Sequence, residues 1–367
     1  MSYKLDTYDP GIQIEFRDLF KEKKLSNNEH DWEFGIRKEG HTSQDGPEGS
    51  VVLGENGFNY ELSGENWGNL PEGWVYKEAT AVDVDSKDRV YVFNRGTCPI
   101  VIFDSDGNIV DSWGEGIFKK PHGVTIGPGD EVFCVDNGDS TVRKFTSDGK
   151  LLMTIGEPGM ESPKMSGIPF HMPTHVAVNK SNGEFYVADG YGNASVHKYS
   201  PDGKRLLTWG ESGTGPGQFN IVHNIAVDSE GWVYIADREN HRIQVFDSTG
   251  KYETQWVNMS RAAAICLDNG SGQDLMYVGE YFAGIASNDI GTDLGPRVSI
   301  LNLQGEILAR IGRESYGDQA GRFYSPHGIS VDSKGNIYVA EVSWSDYGSH
   351  MEPPRELRSM QKLVKIS

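Results

Sequence analysis

A six-residue pattern recurs six times along this chain, and it limits the possible folds more than any other feature. An opening residue and a small residue lead into alternating aliphatic positions that mostly end in an acid or amide. The copies start at Thr80 (TAVDVD), His122 (HGVTIG), Thr174 (THVAVN), His223 (HNIAVD), Ala263 (AAICLD) and His327 (HGISVD). The openings lie 42, 52, 49, 40 and 64 residues apart. Each copy runs through a Gly- or Asp-containing turn into a second alternating segment: RVYVFN, EVFCVD, EFYVAD, WVYIAD, LMYVGE and NIYVAE. A third segment and a DG, TG or QG turn follow, then a fourth segment. Alternation with period two, broken by such turns, marks antiparallel hairpins. Four strands every 40 to 50 residues is the unit of a β-propeller. The expected fold is therefore all-β, a six-bladed propeller of four-stranded blades. The 45 glycines among 367 residues, spread without a collagen period, fit the many tight turns it needs.

The sixth copy stops after its third strand, at Leu363–Ile366, so its outer strand must come from elsewhere. Phe58–Leu62 supplies the alternation and would close the ring from the N-terminal side, protecting an open edge. Residues 1–50 carry no repeat and are expected to form an arm or cap, with a short helix near Asp18–Lys24; residues 51–367 form the propeller. Trp113-Gly-Glu and Trp209-Gly-Glu, at the ends of two repeats, place them closest to the NHL class. Long insertions at 157–172, 211–221, 283–296, 313–325 and 343–360 all enter a first strand or join a second to a third. Those two loop types share one face of a propeller, and function is expected there.

The chain carries 34 basic and 53 acidic residues, a net charge of −19. Such a field repels phosphate backbones and anionic membranes, which excludes nucleic acid as a natural partner. No apolar run reaches the ~20 residues of a membrane helix, and the start has no apolar core of signal-peptide length. Cys98, Cys134 and Cys266 are isolated thiols without metal or redox spacing, so a reduced, cytoplasmic protein is expected. Composition is silent on oligomeric state.

The opening position of each repeat begins an innermost strand near the central axis. Read round the ring it holds Thr80, His122, Thr174, His223, Ala263 and His327. The histidines fall on alternate blades and form a triangle about the axis. Three neutral imidazoles leave a coordination position open, the pattern of a catalytic rather than a structural metal. A divalent metal is expected, zinc first, although iron, nickel or copper also suit imidazole. The ends of the second strands lie on the same face. The acids there are expected to accept backbone N–H bonds, while the residues beyond them vary. Arg95 and Arg238 suit a carboxylate, with a surface ion pair as the competing role. Tyr191 is a candidate proton acceptor, because a phenol beside a divalent metal and an arginine becomes more acidic. Tyr281 is a further candidate for substrate binding. Two arginines suit a small monocarboxylate better than a polyanion.

ADGYGN with Tyr191, ADREN with Arg238, FNRG with Arg95, and the motifs PHG, VHN and PHG resemble the peptidyl-α-hydroxyglycine α-amidating lyase family over about residues 70–367. The resemblance implies a six-bladed propeller with zinc on His122, His223 and His327, Tyr191 as base, and Arg95 and Arg238 in the active site. The implied reaction breaks the C–N bond of a carbinolamide, releasing glyoxylate and a primary amide. Three features depart from that family. Gly328 follows the third histidine where the animal enzymes carry an aspartate that helps bind calcium, so no structural calcium is expected there. The family's disulfides are absent, with Gly192 in place of a cysteine, and no copper monooxygenase domain is fused. The expectation is a metal-dependent lyase acting on a small α-hydroxy amide. The alternatives are a metal-dependent hydrolase or hydratase using the same site, and a non-catalytic NHL interaction scaffold, for which alternating histidines have no use.

Overall fold

The computed structural model describes residues 51–63, 67–268, 274–282, 295–312 and 316–366, together with a two-residue strand pair, Trp32–Glu33 with Ile36–Arg37. The expected helix at Asp18–Lys24, the remainder of the N-terminal arm and most of the 283–296 insertion lie outside the described residues. Six antiparallel sheets follow one another in chain order, each running from an inner to an outer strand. Their inner strands are Ala79–Val84, Pro121–Ile126, His175–Val178, Val222–Val227, Arg261–Leu267 and Pro326–Val331. The fold is the expected six-bladed propeller.

The sixth blade closes as its sequence requires. Met360–Lys365 pairs antiparallel with Phe58–Leu62, with Leu363 opposite Leu62 and Lys365 opposite Tyr60. A strand the sequence reading did not anticipate, Val52–Glu55, adds a fifth member outside it. This edge also reaches the fifth blade, where Glu55 accepts the Arg310 N–H and Asn56 donates to the Leu308 carbonyl. The N-terminal segment thus fastens two blades.

Second strands are buried along their whole length, because each blade packs face to face against its neighbours. The Trp-Gly-Glu endings have a packing cause. Trp113, at the end of the first blade, lies over the outer hairpin of the second, where Gly149 has φ +85° and a Cβ would stand 2.8 Å from the indole. Trp209 repeats the contact at Gly250 and Trp256 at Gly305. Among the described residues the longest helical piece is Ser343–Asp346, and no helix is long and apolar enough to cross a membrane. Cys98, Cys134 and Cys266 are free thiols.

Tyr60 is fully buried against Leu275, Tyr277, Ile311 and Leu363, so the closing strand is anchored by one large side chain. Tyr60→Ala should lower unfolding free energy by about 3–5 kcal/mol, the range for emptying a large aromatic site. Thermal or denaturant unfolding checks this, and a loss under 1 kcal/mol would show that the seam does not depend on it.

Candidate metal centre

Each cage histidine is aimed by an irregularity of the inner strand. In the second blade Asp136 pairs with Pro121 and Val135 with Gly123, leaving His122 as an extra, bulged residue. His223 and His327 are bulged in the same way, and so are Thr80 and Ala263. A bulge turns a side chain out of the normal alternation, here toward the axis. Acids at the second-strand ends hold the chain just ahead of each bulge. Asp136 accepts the N–H groups of Lys119 and Lys120, Asp237 that of Asn220, and Glu341 those of Tyr324 and Ser325. These acids have the structural role the sequence suggested.

The imidazoles are oriented by the adjacent blade. His122 Nδ1 lies 2.8 Å from the Thr174 carbonyl, His223 Nδ1 2.6 Å from that of Ala263, and His327 Nδ1 2.5 Å from that of Thr80. A carbonyl only accepts, so Nδ1 carries the proton and Nε2 keeps its lone pair. In each case the acceptor is the opening residue of the next blade, which gives the three blades without histidine a part in the site. Glycine after two of the histidines permits this approach. A Cβ at Gly123 would stand 2.5 Å from the Thr174 carbonyl oxygen, and one at Gly328 would stand 2.6 Å from Ala81 Cα. An aspartate at 328 would therefore have to push the first blade away.

One ring nitrogen from each histidine lies within 4.8 Å of the other two, with ring centroids 4.6–5.1 Å apart. All three rings are buried. Burial, reinforced by neighbouring histidines and by Arg95 and Arg238, holds each well below the usual imidazole range, so each is neutral near pH 7. Three convergent neutral donors whose other nitrogens are fixed by carbonyls fit a divalent metal.

Tyr191 places its hydroxyl 3.3 Å from His122 Nε2 and 3.2 Å from His223 Nε2, and Arg238 Nη1 is 3.4 Å from the same oxygen. The Arg238 guanidinium lies between two phenol rings, 5.6 Å from the centroids of Tyr191 and Tyr281. The Tyr281 hydroxyl is buried without a hydrogen-bond partner among the described residues, as is Asn137 Oδ1. A cavity of about 580 Å³ joins Arg95, His122, Tyr191, Arg238, Tyr281 and His327. The sequence-predicted residues therefore meet in one place. Arg95 is the most committed of them. Its Nη1 is 2.5 Å from Glu78 Oε1 and its Nε donates to the Pro121 carbonyl, the ion pair weighed as its competing role.

The sequence reading missed Arg261, which grips Glu239 with two bonds of 2.6 and 3.1 Å while Glu239 also holds Arg238. It missed Lys120 and Ser325 as well. All three stand two positions before a repeat opening, and the signal was there: Glu78, Lys120, Arg261 and Ser325 share that register. Backbone bonds tie this position to the residue just after the second strand, as in Arg95 N–H to Glu78 and Asn137 N–H to Lys120. Asp346 lies in an insertion outside the repeat and left no such signal.

Comparison with known proteins agrees with this architecture. The NHL repeat model matches residues 170–199, 219–246 and 323–345. NHL repeat-containing protein 3 of Mus musculus is 37% identical over 288 residues, covering 71% of this chain and 76% of that protein. The chain belongs to the NHL-repeat family. Peptidyl-alpha-hydroxyglycine alpha-amidating lyase 1 of Drosophila melanogaster is a more partial match, 33% identical over 196 residues, covering 48% of this chain and 34% of that protein. The chain spans from about a sixth to about half the length of other amidating and NHL relatives it matches. Virginiamycin B lyase from Staphylococcus aureus shares the fold at 16% identity and TM-score 0.53, over 84% of this chain and all of that one.

Replacing His122, His223 or His327 by Ala should abolish metal retention while the far-UV spectrum stays native. Metal analysis of the purified, reconstituted variants checks it, and stoichiometric metal in any of them would remove that residue from the cage. A pH dependence follows from the depressed imidazoles. Unfolded histidine takes up a proton as pH falls below about 6.5, whereas the folded cage resists. Stability is thus fully present above 6.5 and lost as pH falls toward the folded-state values. The melting temperature of metal-free protein should decline over that interval, and decline less in His223→Gln.

Proposed function

We propose that this NHL-repeat protein is a metal-dependent lyase that cleaves the C–N bond of a small, carboxylate-bearing α-hydroxy amide, giving an amide and a carbonyl acid. The observation that carries the reading is the Tyr191 hydroxyl, held between two cage histidines and an arginine. A scaffold for protein contacts has no need of a phenol and three neutral imidazoles sealed at its axis.

The metal, zinc in this reading, would be held by His122, His223 and His327 and would supply a Lewis acid that acidifies the substrate hydroxyl. Tyr191, as its phenolate, takes the hydroxyl proton as the C–O bond becomes a carbonyl. The C–N bond breaks, and the same phenol returns the proton to the departing amide nitrogen, so one group is base and then acid. Arg238, backed by Glu239 and joined by Arg261, holds the carboxylate and fixes the carbon next to Tyr191. Tyr281 offers its unpaired hydroxyl to the bound molecule. Arg95 forms the wall of the cavity and, through its pair with Glu78, holds Ser345 of the 343–360 insertion in place. Three free thiols support a reduced, cytoplasmic setting.

The direct test is release of glyoxylate from an N-acyl-α-hydroxyglycine by zinc-loaded protein; hydrolysis of esters or lactones in its place would favour a hydrolase. Tyr191→Phe should lower kcat far more than it raises KM. Arg238→Ala should reduce kcat/KM by about 10- to 150-fold, as for a lost charge-assisted bond. Equal turnover of the esterified substrate would show that Arg238 does not hold a carboxylate.

A further inference from the structure

A second cleft adjoins the metal cavity at Arg95. Arg95, Lys120 and Ser345 also line this cleft of about 340 Å³, which Lys77 and Trp344 complete on the far side. The cleft is cationic in a chain of net charge −19. Its one carboxylate, Glu78, is already consumed: Oε1 binds Arg95 and the Ser345 hydroxyl, and Oε2 accepts the Ser345 N–H at 2.7 Å. Arg95 Nη2 makes no hydrogen bond, and the amines of Lys77 and Lys120 make no ion pair, among the described residues. Lys119 lines the cleft too, but its ammonium lies beside Gly159. Lys77 Nζ stands 5.7 Å from the centre of the Trp344 ring, an apolar wall beside a charge.

Counting Arg95 and Arg238 alone points to a monocarboxylate. With Arg261, Lys77 and Lys120 added, the supply of cations exceeds what one carboxylate uses. We infer that the substrate is a dicarboxylate: one carboxylate faces Arg238 and Arg261 beside the cage, and a second, on the acyl side of the scissile bond, sits between Arg95, Lys120 and Lys77. The inference rests on the lyase reading, since that reading places an acyl group opposite the first carboxylate. The short apolar stretch joining the acyl carbonyl to the second carboxylate lies against Trp344.

N-succinylglycine and N-butyrylglycine lack the hydroxyl and cannot react, and they differ by a terminal carboxylate in place of a methyl group. Calorimetry on the metal-loaded, full-length protein should show N-succinylglycine binding about tenfold or more tightly at low ionic strength, with the advantage shrinking as salt rises. In the Lys77→Ala/Lys120→Ala double variant that advantage should vanish while N-butyrylglycine binds as before. Both lysines are exposed, and an unchanged melting temperature confirms the fold. Equal binding of the two compounds to the wild type overturns the second subsite and leaves the lyase reading intact, as does an advantage that survives in the double variant. If neither compound binds and no N-acyl-α-hydroxyglycine is turned over, the lyase reading falls and the subsite falls with it.

Discussion

The site depends on one repeated hydrogen bond, from the Nδ1 of each cage histidine to the backbone carbonyl that opens the next blade. It selects the tautomer, fixes the ring and leaves Nε2 facing the axis. The acceptor belongs to a different sheet, so the geometry of the cage is a property of contacts between blades. This makes ring closure part of the chemistry. The bond from His327 to Thr80 crosses the seam between last blade and first, the seam closed by Phe58–Leu62. A chain that left the seam open would lose a ligand's orientation together with an edge strand's partner.

Two further devices serve that bond. The bulge at each opening turns the histidine inward, and the acid at the second-strand end anchors the residues ahead of it. The same acid appears in blades without histidine: Asp189 and Glu280 accept the N–H groups of His171 and Ser260. The clamp is therefore shared by five of the six blades, the first carrying Asn94 in its place, and the histidines are side chains placed on a frame that blades without histidine also build. Function on such a frame changes by substitution at a few registers.

Electrostatics divide the molecule. Its net charge keeps anions away at long range, while the functional face gathers Arg95, Arg238, Arg261 and Lys120 around neutral imidazoles. A half-buried carboxylate fixes two of the arginines without cancelling both, since one Glu239 serves Arg238 and Arg261. In a partly desolvated cavity these fixed charges act over short distances more strongly than the diffuse negative surface does.

The sequence by itself determined the number of blades, the strand that closes the ring and the face that carries the site. Each follows from periodicity, which sets which side of a strand is buried. It also picked out His122, His223 and His327, because the repeat register makes six positions equivalent and three of them share a residue type. Tertiary structure decided the rest. That Arg95 is bound to Glu78, that Gly328 abuts Ala81, and that Val52–Glu55 adds an outer strand all depend on segments far apart in the chain. Arg261 and Lys120 stood in a readable register, but their neighbours across the ring were needed to show that they face the cavity. Asp346 and Trp344 lie in an insertion with no counterpart in other repeats, so no internal comparison could place them. A repeat encodes what each blade has in common, and the site is built from what each blade does differently, which becomes visible only where the blades meet.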